Sequence, residues 1–290
     1  MSWKTFVCIA VVYQYGLVQV AIKKIGAVPG SRTRKLVWQY LFAAFLALTA
    51  GAIAGRLELT PSVLIVAVIG AGNAFACYCH WRAYDISMAR TAMLSTLDDF
   101  TAIGLGYLLL GELQVLTPLL TAGVVISAVS AIMFSRVKNP SEATSRSLIF
   151  WVLGYSSIWG VAMFSLRYFS LQGLSMITFG AAWYSGAFIG ALITRFVIMG
   201  RDEAGPPLSN GERAKVFLLA VLIWTSLMFC YRLRELVPVT VIQPIQLVSE
   251  MSIPAIIGMM FFGEAKKMSR KEIAVIAVGL LGAVLIAVAY

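Results

Sequence analysis

Read from one charged residue to the next, this chain is a succession of uncharged apolar runs: 5–22, 36–55, 59–81, 113–135, 147–166, 168–194, 216–231 and 273–290. Most of them reach the ~17–25 residues a helix needs to cross the hydrocarbon of a bilayer. Two further runs, 91–111 and 236–263, have the length but are interrupted, the first by Asp98 and Asp99 and the second by Glu250. Backbone amides in lipid must be satisfied within their own segment, and the runs are too long and too continuously apolar for barrel strands, so they are read as helices. A composition 60% hydrophobic and 12% charged, against ~45–50% and ~25% in soluble domains, agrees. The expectation is an all-α membrane protein with ten transmembrane helices and short connections. No small-residue cleavage pattern follows the first run, but Lys23-Lys24 does, so it is kept as a mature helix.

The net charge of +10 would point to nucleic acid in a soluble protein. Here the Lys and Arg lie at span ends, as the positive-inside rule asks, and no nucleic-acid partner is expected. With ten spans, only Lys4, Arg56, Arg167, Arg232 and Arg234 of the 23 basic residues share a side with the termini. That bias puts both termini outside the cytoplasm of a multi-pass inner-membrane protein. The four cysteines form no metal-ligand spacing and read as small buried hydrophobes.

The chain also repeats itself. Gly111-Glu112 closes the run GYLLLGE and Gly263-Glu264 closes GMMFFGE; at the same offset Arg82 falls on Arg234, Thr91 on Gln243, and Asp98 on Glu250. Tyr15-Gly16 matches Trp159-Gly160, with Lys23 on Arg167. Five spans per half is an odd number, so the halves, 1–138 and 139–290, would enter the membrane in opposite senses as two inverted five-helix repeats. Ten helices in two such halves, each with Gly-Glu ending its fourth helix ahead of a Gly-rich fifth, resemble the EamA-like branch of the drug/metabolite transporter superfamily. That resemblance implies a central cavity, alternating access and a small-molecule substrate such as an amino acid, osmolyte, metabolite or drug. It also implies cytoplasmic termini, where the charge bias gives the opposite.

A carboxylate near a helix centre costs ~2.5–3.5 kcal/mol to insert and is retained where it faces a partner, water or a cavity. Asp98 and Glu250 both fall at midspan depth, where transporters hold substrate and coupling ions. Gln243, Gln246 and Glu250 share one helix face, as do Thr91, Ser95 and Asp98. Both stripes are therefore expected to face the central cavity, with Asp98 and Glu250 binding a proton or a cationic group of the substrate. Pro238, Pro244 and Pro254 remove backbone donors along the second stripe. Tyr13 and Gln14, Asn73, Trp159, Trp183 and Tyr184 are candidate cavity lining, and a ring cage would suit an amine.

Asp99, about 100° round the helix from Asp98, is expected to play a structural role, paired with Arg90, Arg82 or His80. His80 is expected at the interface, and Glu112 and Glu264 at helix-end packing. The sequence thus predicts a proton-linked secondary transporter without cofactor or metal. A flippase for a lipid-linked intermediate, using Arg82 and Arg90, is the alternative. One histidine and no metal spacing argue against an enzyme, and a non-transporting receptor remains open.

Overall fold

The computed structural model describes residues 3–26, 31–88, 91, 97–115, 117–136, 146–198, 207–263 and 269–289. Among these residues the chain is helical and holds no strand. The first helix, α1 (Trp3–Ile25), contains a π-helical stretch over Val12–Val18. It is followed by α2 (Arg32–Ile53), α3 (Pro61–Ile86), α4 (Leu97–Leu109), α5 (Pro118–Arg136) and α6 (Arg146–Leu171), then by α7 (Met176–Ile198), α8 (Asn210–Leu236), α9 (Val239–Phe261) and α10 (Arg270–Ala289). Seven of them, α1 to α3 and α6 to α9, are long and apolar enough to cross a membrane. The protein is a multi-pass, all-α membrane protein.

Helix ends follow turn chemistry rather than charge. The run boundary at Arg167 is not a helix end: α6 passes through it to Leu171, and the turn falls at Gln172–Gly173. Likewise α8 continues through Arg232 and Arg234 and stops before Pro238. Ser31, Thr60 and Ser209 begin α2, α3 and α8 by accepting from the backbone N–H three residues on, and Ser209 with Glu212 completes a capping box. The two Gly-Glu pairs have a physical reason. Gly111 and Gly263 adopt φ of 66° and 68°, a left-handed turn after a helix that a side chain would strain.

Close contacts between helices are made by small residues. An added Cβ at Gly186 or Gly190 of α7 would lie 1.8 or 2.1 Å from a carbonyl oxygen of α3, and one at Gly70 of α3 would lie 2.2 Å from Trp183 O of α7. Gly123 of α5 and Gly282 of α10 face each other in the same manner, each within 2.9 Å of the other's carbonyl oxygen once a Cβ is added. Backbones this close pack by dispersion where no hydrophobic force distinguishes helix from lipid. Gly160 lets α6 approach Asp98 O and Thr101 of α4, and Gly16 brings α1 beside Ile253 of α9. The Tyr-Gly and Trp-Gly motifs therefore seat α1 and α6 against the two acid-bearing helices.

The polarity is inside out. Phe196, Val68 and Met260 point outward, whereas Arg234, Gln246, Asp98 and Asp99 are fully buried. That is the arrangement expected of a chain solvated by lipid, where charge survives only in the interior. Lys35, a loop cation by position, is also buried and donates to Ile25 O. Taking Lys35 and Arg234 out of the charge comparison removes one residue from each side and leaves its direction unchanged.

Candidate functional site

Two features occupy the interior: a cavity among α1, α2, α3, α6, α7 and α8, and a cluster of three carboxyls between α4 and α9. The cavity wall carries four amides, Gln14, Gln19, Gln39 and Asn73, and a set of rings. The rings form a row: His80 stacks on Tyr155 at 4.5 Å, Tyr155 on Trp159 at 5.9 Å, and Trp159 meets Trp183 edge-on at 6.2 Å. Asn73 donates to Tyr40 OH at 3.0 Å, Tyr84 OH to Gln19 at 2.9 Å, and Tyr184 OH to Ile223 O at 2.7 Å. The free volume is about 90 Å3, room for a handful of waters at ~10–15 Å3 each. Among the described residues no Asp, Glu, Lys or Arg lines this space.

Gln14, Asn73, Trp159, Trp183 and Tyr184 thus line the cavity as expected. Tyr13 does not; its hydroxyl donates to Leu222 O and its ring packs edge-on against Phe229. The larger correction concerns the polar stripes. Asp98, Glu250, Gln243 and Gln246 are buried behind the wall rather than in it, and Thr91 turns its hydroxyl to Ser87 O. Ser95, Glu264 and Arg90 lie outside the described residues. His80 is no interface residue: it is buried, held between Tyr84 and Tyr155.

What joins the two features is Arg234. Its guanidinium is fully buried and donates to Met163 O, Cys230 O, Gln243 Oε1 at 2.7 Å and Gln246 Oε1 at 2.8 Å. With its oxygen held by Arg234, Gln243 points its Nε2 at Asp99 Oδ1, 2.6 Å away. Gln246, held in the same way, points its Nε2 at Gln14 Oε1 in the cavity wall, 3.4 Å away, and Cys230 Sγ donates to the same oxygen at 2.8 Å. A continuous chain of hydrogen bonds therefore runs from the cavity through Gln14, Gln246, Arg234 and Gln243 to Asp99. Gln243 and Gln246 are each oriented by the fixed donors of the guanidinium, since an Arg offers no acceptor.

At the far end of that chain, oxygens of Asp98, Asp99 and Glu250 all lie within 4.8 Å of one another. Asp99 is therefore part of the cluster, not a separate structural acid. Of the three expected bases, Arg90 lies outside the described residues, Arg82 sits over the Trp151 ring, 5.3 Å from its centre, and His80 stacks on Tyr155. Among the described residues Arg234 acts on Asp99 through Gln243. Three like charges this close cannot all be carried in a dry interior, so the cluster must hold a proton or a cation. Tyr15 and Tyr155, both in the cavity wall, lie within electrostatic reach of Glu250 and Asp98.

Glu112 has a different role. Its carboxylate accepts from the backbone N–H groups of Val239 and Thr240, from Thr240 Oγ1 and from Arg167 Nε. It caps the start of α9, where Pro238 precedes two otherwise unsatisfied donors. Arg167 NH1 continues to Arg234 O at 2.5 Å.

Arg234 escaped the sequence reading because a charge near a run's end reads as a loop charge. Its position at the offset that carries Asp98 to Glu250 was the available signal. No family model matches the chain, and no curated protein matches it. Among solved structures 27 chains match. One of them, described only as the crystal structure of a protein, superposes with a TM-score of 0.70 over 99% of this chain and 96% of that one, at 15% identity. That likeness is one of fold alone.

Proposed function

We propose that this protein is a secondary transporter of a small polar or amine-bearing solute, working by alternating access. In this reading its ten helices form two inverted five-helix halves, as in the EamA-like transporters that the sequence resembles, embedded in the inner membrane with both termini outside the cytoplasm. The observation that carries it is the hydrogen-bonded chain from Gln14 in the cavity wall to Asp99, whose carboxyl clusters with those of Asp98 and Glu250. A solute touching Gln14 competes for the amide that Gln246 and Cys230 hold. Altering the charge of the cluster pulls on Gln243 at the other end. Solute and proton would thus bias one network, which is the requirement for coupling two bound species.

Further support comes from the pairing of the halves. Gly16 and Gly160 seat α1 and α6 against α9 and α4, and Gly123 and Gly282 join α5 to α10. Sites between such halves are where alternating access exposes a solute to either side. A wall of amides and rings without ionised side chains favours a solute of no net charge, or an amine held by ring faces alone.

The test is flux. Purified protein in proteoliposomes, given an inward or outward pH gradient and a panel of radiolabelled amino acids, amides and methylamines, is expected to accumulate at least one of them against its gradient. Asp98→Asn and Glu250→Gln should lose gradient-driven accumulation while the protein remains folded. Accumulation by both variants that equals wild type at every pH would refute the coupling role. Absence of flux for the whole panel in either direction would count against transport.

A further inference from the structure

The three carboxyls bring together more than acids. Opposite ligands of a hard cation bound at ~2.3–2.6 Å stand about 4.8 Å apart, and the oxygens of Asp98, Asp99 and Glu250 lie within 4.8 Å of one another. The three carboxyls are thus close enough together to hold one ion between them. A second observation gives the cluster a ligand to find. Asp98 is 0% exposed, and neither of its carboxyl oxygens has a hydrogen-bond partner among the described residues; Asp99 Oδ2 is unpartnered as well.

Buried polar atoms are satisfied in the large majority of cases, and an orphan asks what completes it. Among the described residues another buried carboxyl, that of Glu112, is satisfied in full by four converging donors. Against that contrast, bare oxygens at Asp98 mark a place left for something that is not a side chain. Among the described residues the guanidinium of Arg234 acts on Asp99, and Tyr15 of α1 and Tyr155 of α6 lie within electrostatic reach of Asp98 and Glu250.

We propose that Asp98, Asp99 and Glu250 form a binding site for a hard, oxygen-seeking cation of the size of sodium or calcium. A divalent ion would balance two carboxylates, and a monovalent one would balance a single carboxylate while a proton stays on another. For each positive charge taken up, one carboxyl proton leaves to water, so charge is conserved and no redox partner is needed. The role of this ion in coupling rests on the transport reading above; its binding does not.

The experiment uses the full-length purified protein in detergent, in choline chloride at constant ionic strength, titrated with sodium or calcium chloride. The melting temperature is expected to rise saturably with one of these ions, as for any ligand that binds only the folded state. The rise should shrink as pH falls, because protons compete for the same oxygens. Asp98→Asn and Glu250→Gln should abolish it, and both are expected to fold, since each removes a charge from the interior. Asp85→Asn, at the exposed end of α3 where Asp85 pairs with Arg32, should keep it.

Calorimetry in two buffers of different ionisation enthalpy should report protons released on binding. A melting temperature that follows pH but neither ion, or an ion effect that survives in both cluster variants, overturns the site. In the first case pH-driven flux would still stand and the transport reading with it. Ion binding without flux of any tested solute would leave the site standing and remove the transporter.

Discussion

Arg234→Met is expected to destabilise the protein by ~3–5 kcal/mol, the loss that follows when one member of a buried charged network is removed. Four acceptors lose their donor at once: Met163 O, Cys230 O, Gln243 Oε1 and Gln246 Oε1. None of them can turn to water, because the guanidinium and both amides are buried. Arg234→Lys should recover only part of the loss, since an ammonium on a flexible stem cannot reach acceptors on three helices as a planar fork does. Adding Asp99→Asn to Arg234→Met should restore part of it, because the second change removes charge that the guanidinium balances. Unfolding of the purified variants by heat or by titrated denaturing detergent measures all three. A loss under ~1 kcal/mol for Arg234→Met, ordinary for any substitution, or strict additivity in the double variant, would show that guanidinium and carboxyls are not coupled.

Position along the chain was the legible part of this molecule; direction was not. Apolar runs placed the membrane helices because lipid imposes one composition on whatever it touches. The matched acids at Asp98 and Glu250 were legible because a midspan carboxyl is costly enough to be noticed, and the cluster contains both. The stripe of Gln243 and Gln246 was assigned to the right helix but to the wrong surroundings. A polar face on a membrane helix is satisfied equally by a cavity or by another polar face, and here Arg234 of α8 takes that place.

Asp99 shows the same limit at finer scale. Two residues 100° apart on one helix cannot point the same way, yet they can straddle a line of contact with a neighbour. Glu250 on α9 meets both of them. The π-helical stretch over Val12–Val18, which carries Gln14 and Tyr15, left no mark in composition, since i→i+5 pairing is set by what the helix packs against. Such stretches occur often at functional sites, and this one supplies the cavity end of the hydrogen-bonded chain. The ends of α6 and α8 were misplaced because charge was taken as the stop signal. Arg167 and Arg234 have buried partners, Glu112 and Gln243, that make a charge tolerable inside a helix.

Gly186→Ala and Gly104→Ala are the same chemical change and are expected to act in opposite directions. At Gly186 the added methyl would stand 1.8 Å from Ala67 O and 2.5 Å from Ala67 C. These are backbone atoms, so no rotamer yields and α3 must move away from α7. Inserting a methyl into a packed interior costs ~1–3 kcal/mol and occasionally more. Gly70 and Gly190 hold the same seam at 2.2 and 2.1 Å, so the displacement cannot be absorbed locally and the loss belongs at or above the top of that range. Function should fail with it, because α3 carries Asn73 and His80 and α7 carries Trp183 and Tyr184 in the cavity wall. At Gly104, in α4, nothing lies within 4 Å of an added Cβ, and the methyl only removes the freedom of a helical glycine, worth ~0.5–1 kcal/mol in favour of Ala. Melting temperatures of the two variants, measured side by side, should therefore fall on either side of wild type. Equal values would mean that α3 and α7 do not meet backbone to backbone, and that the amide and ring walls are held in register by something other than the glycine seam.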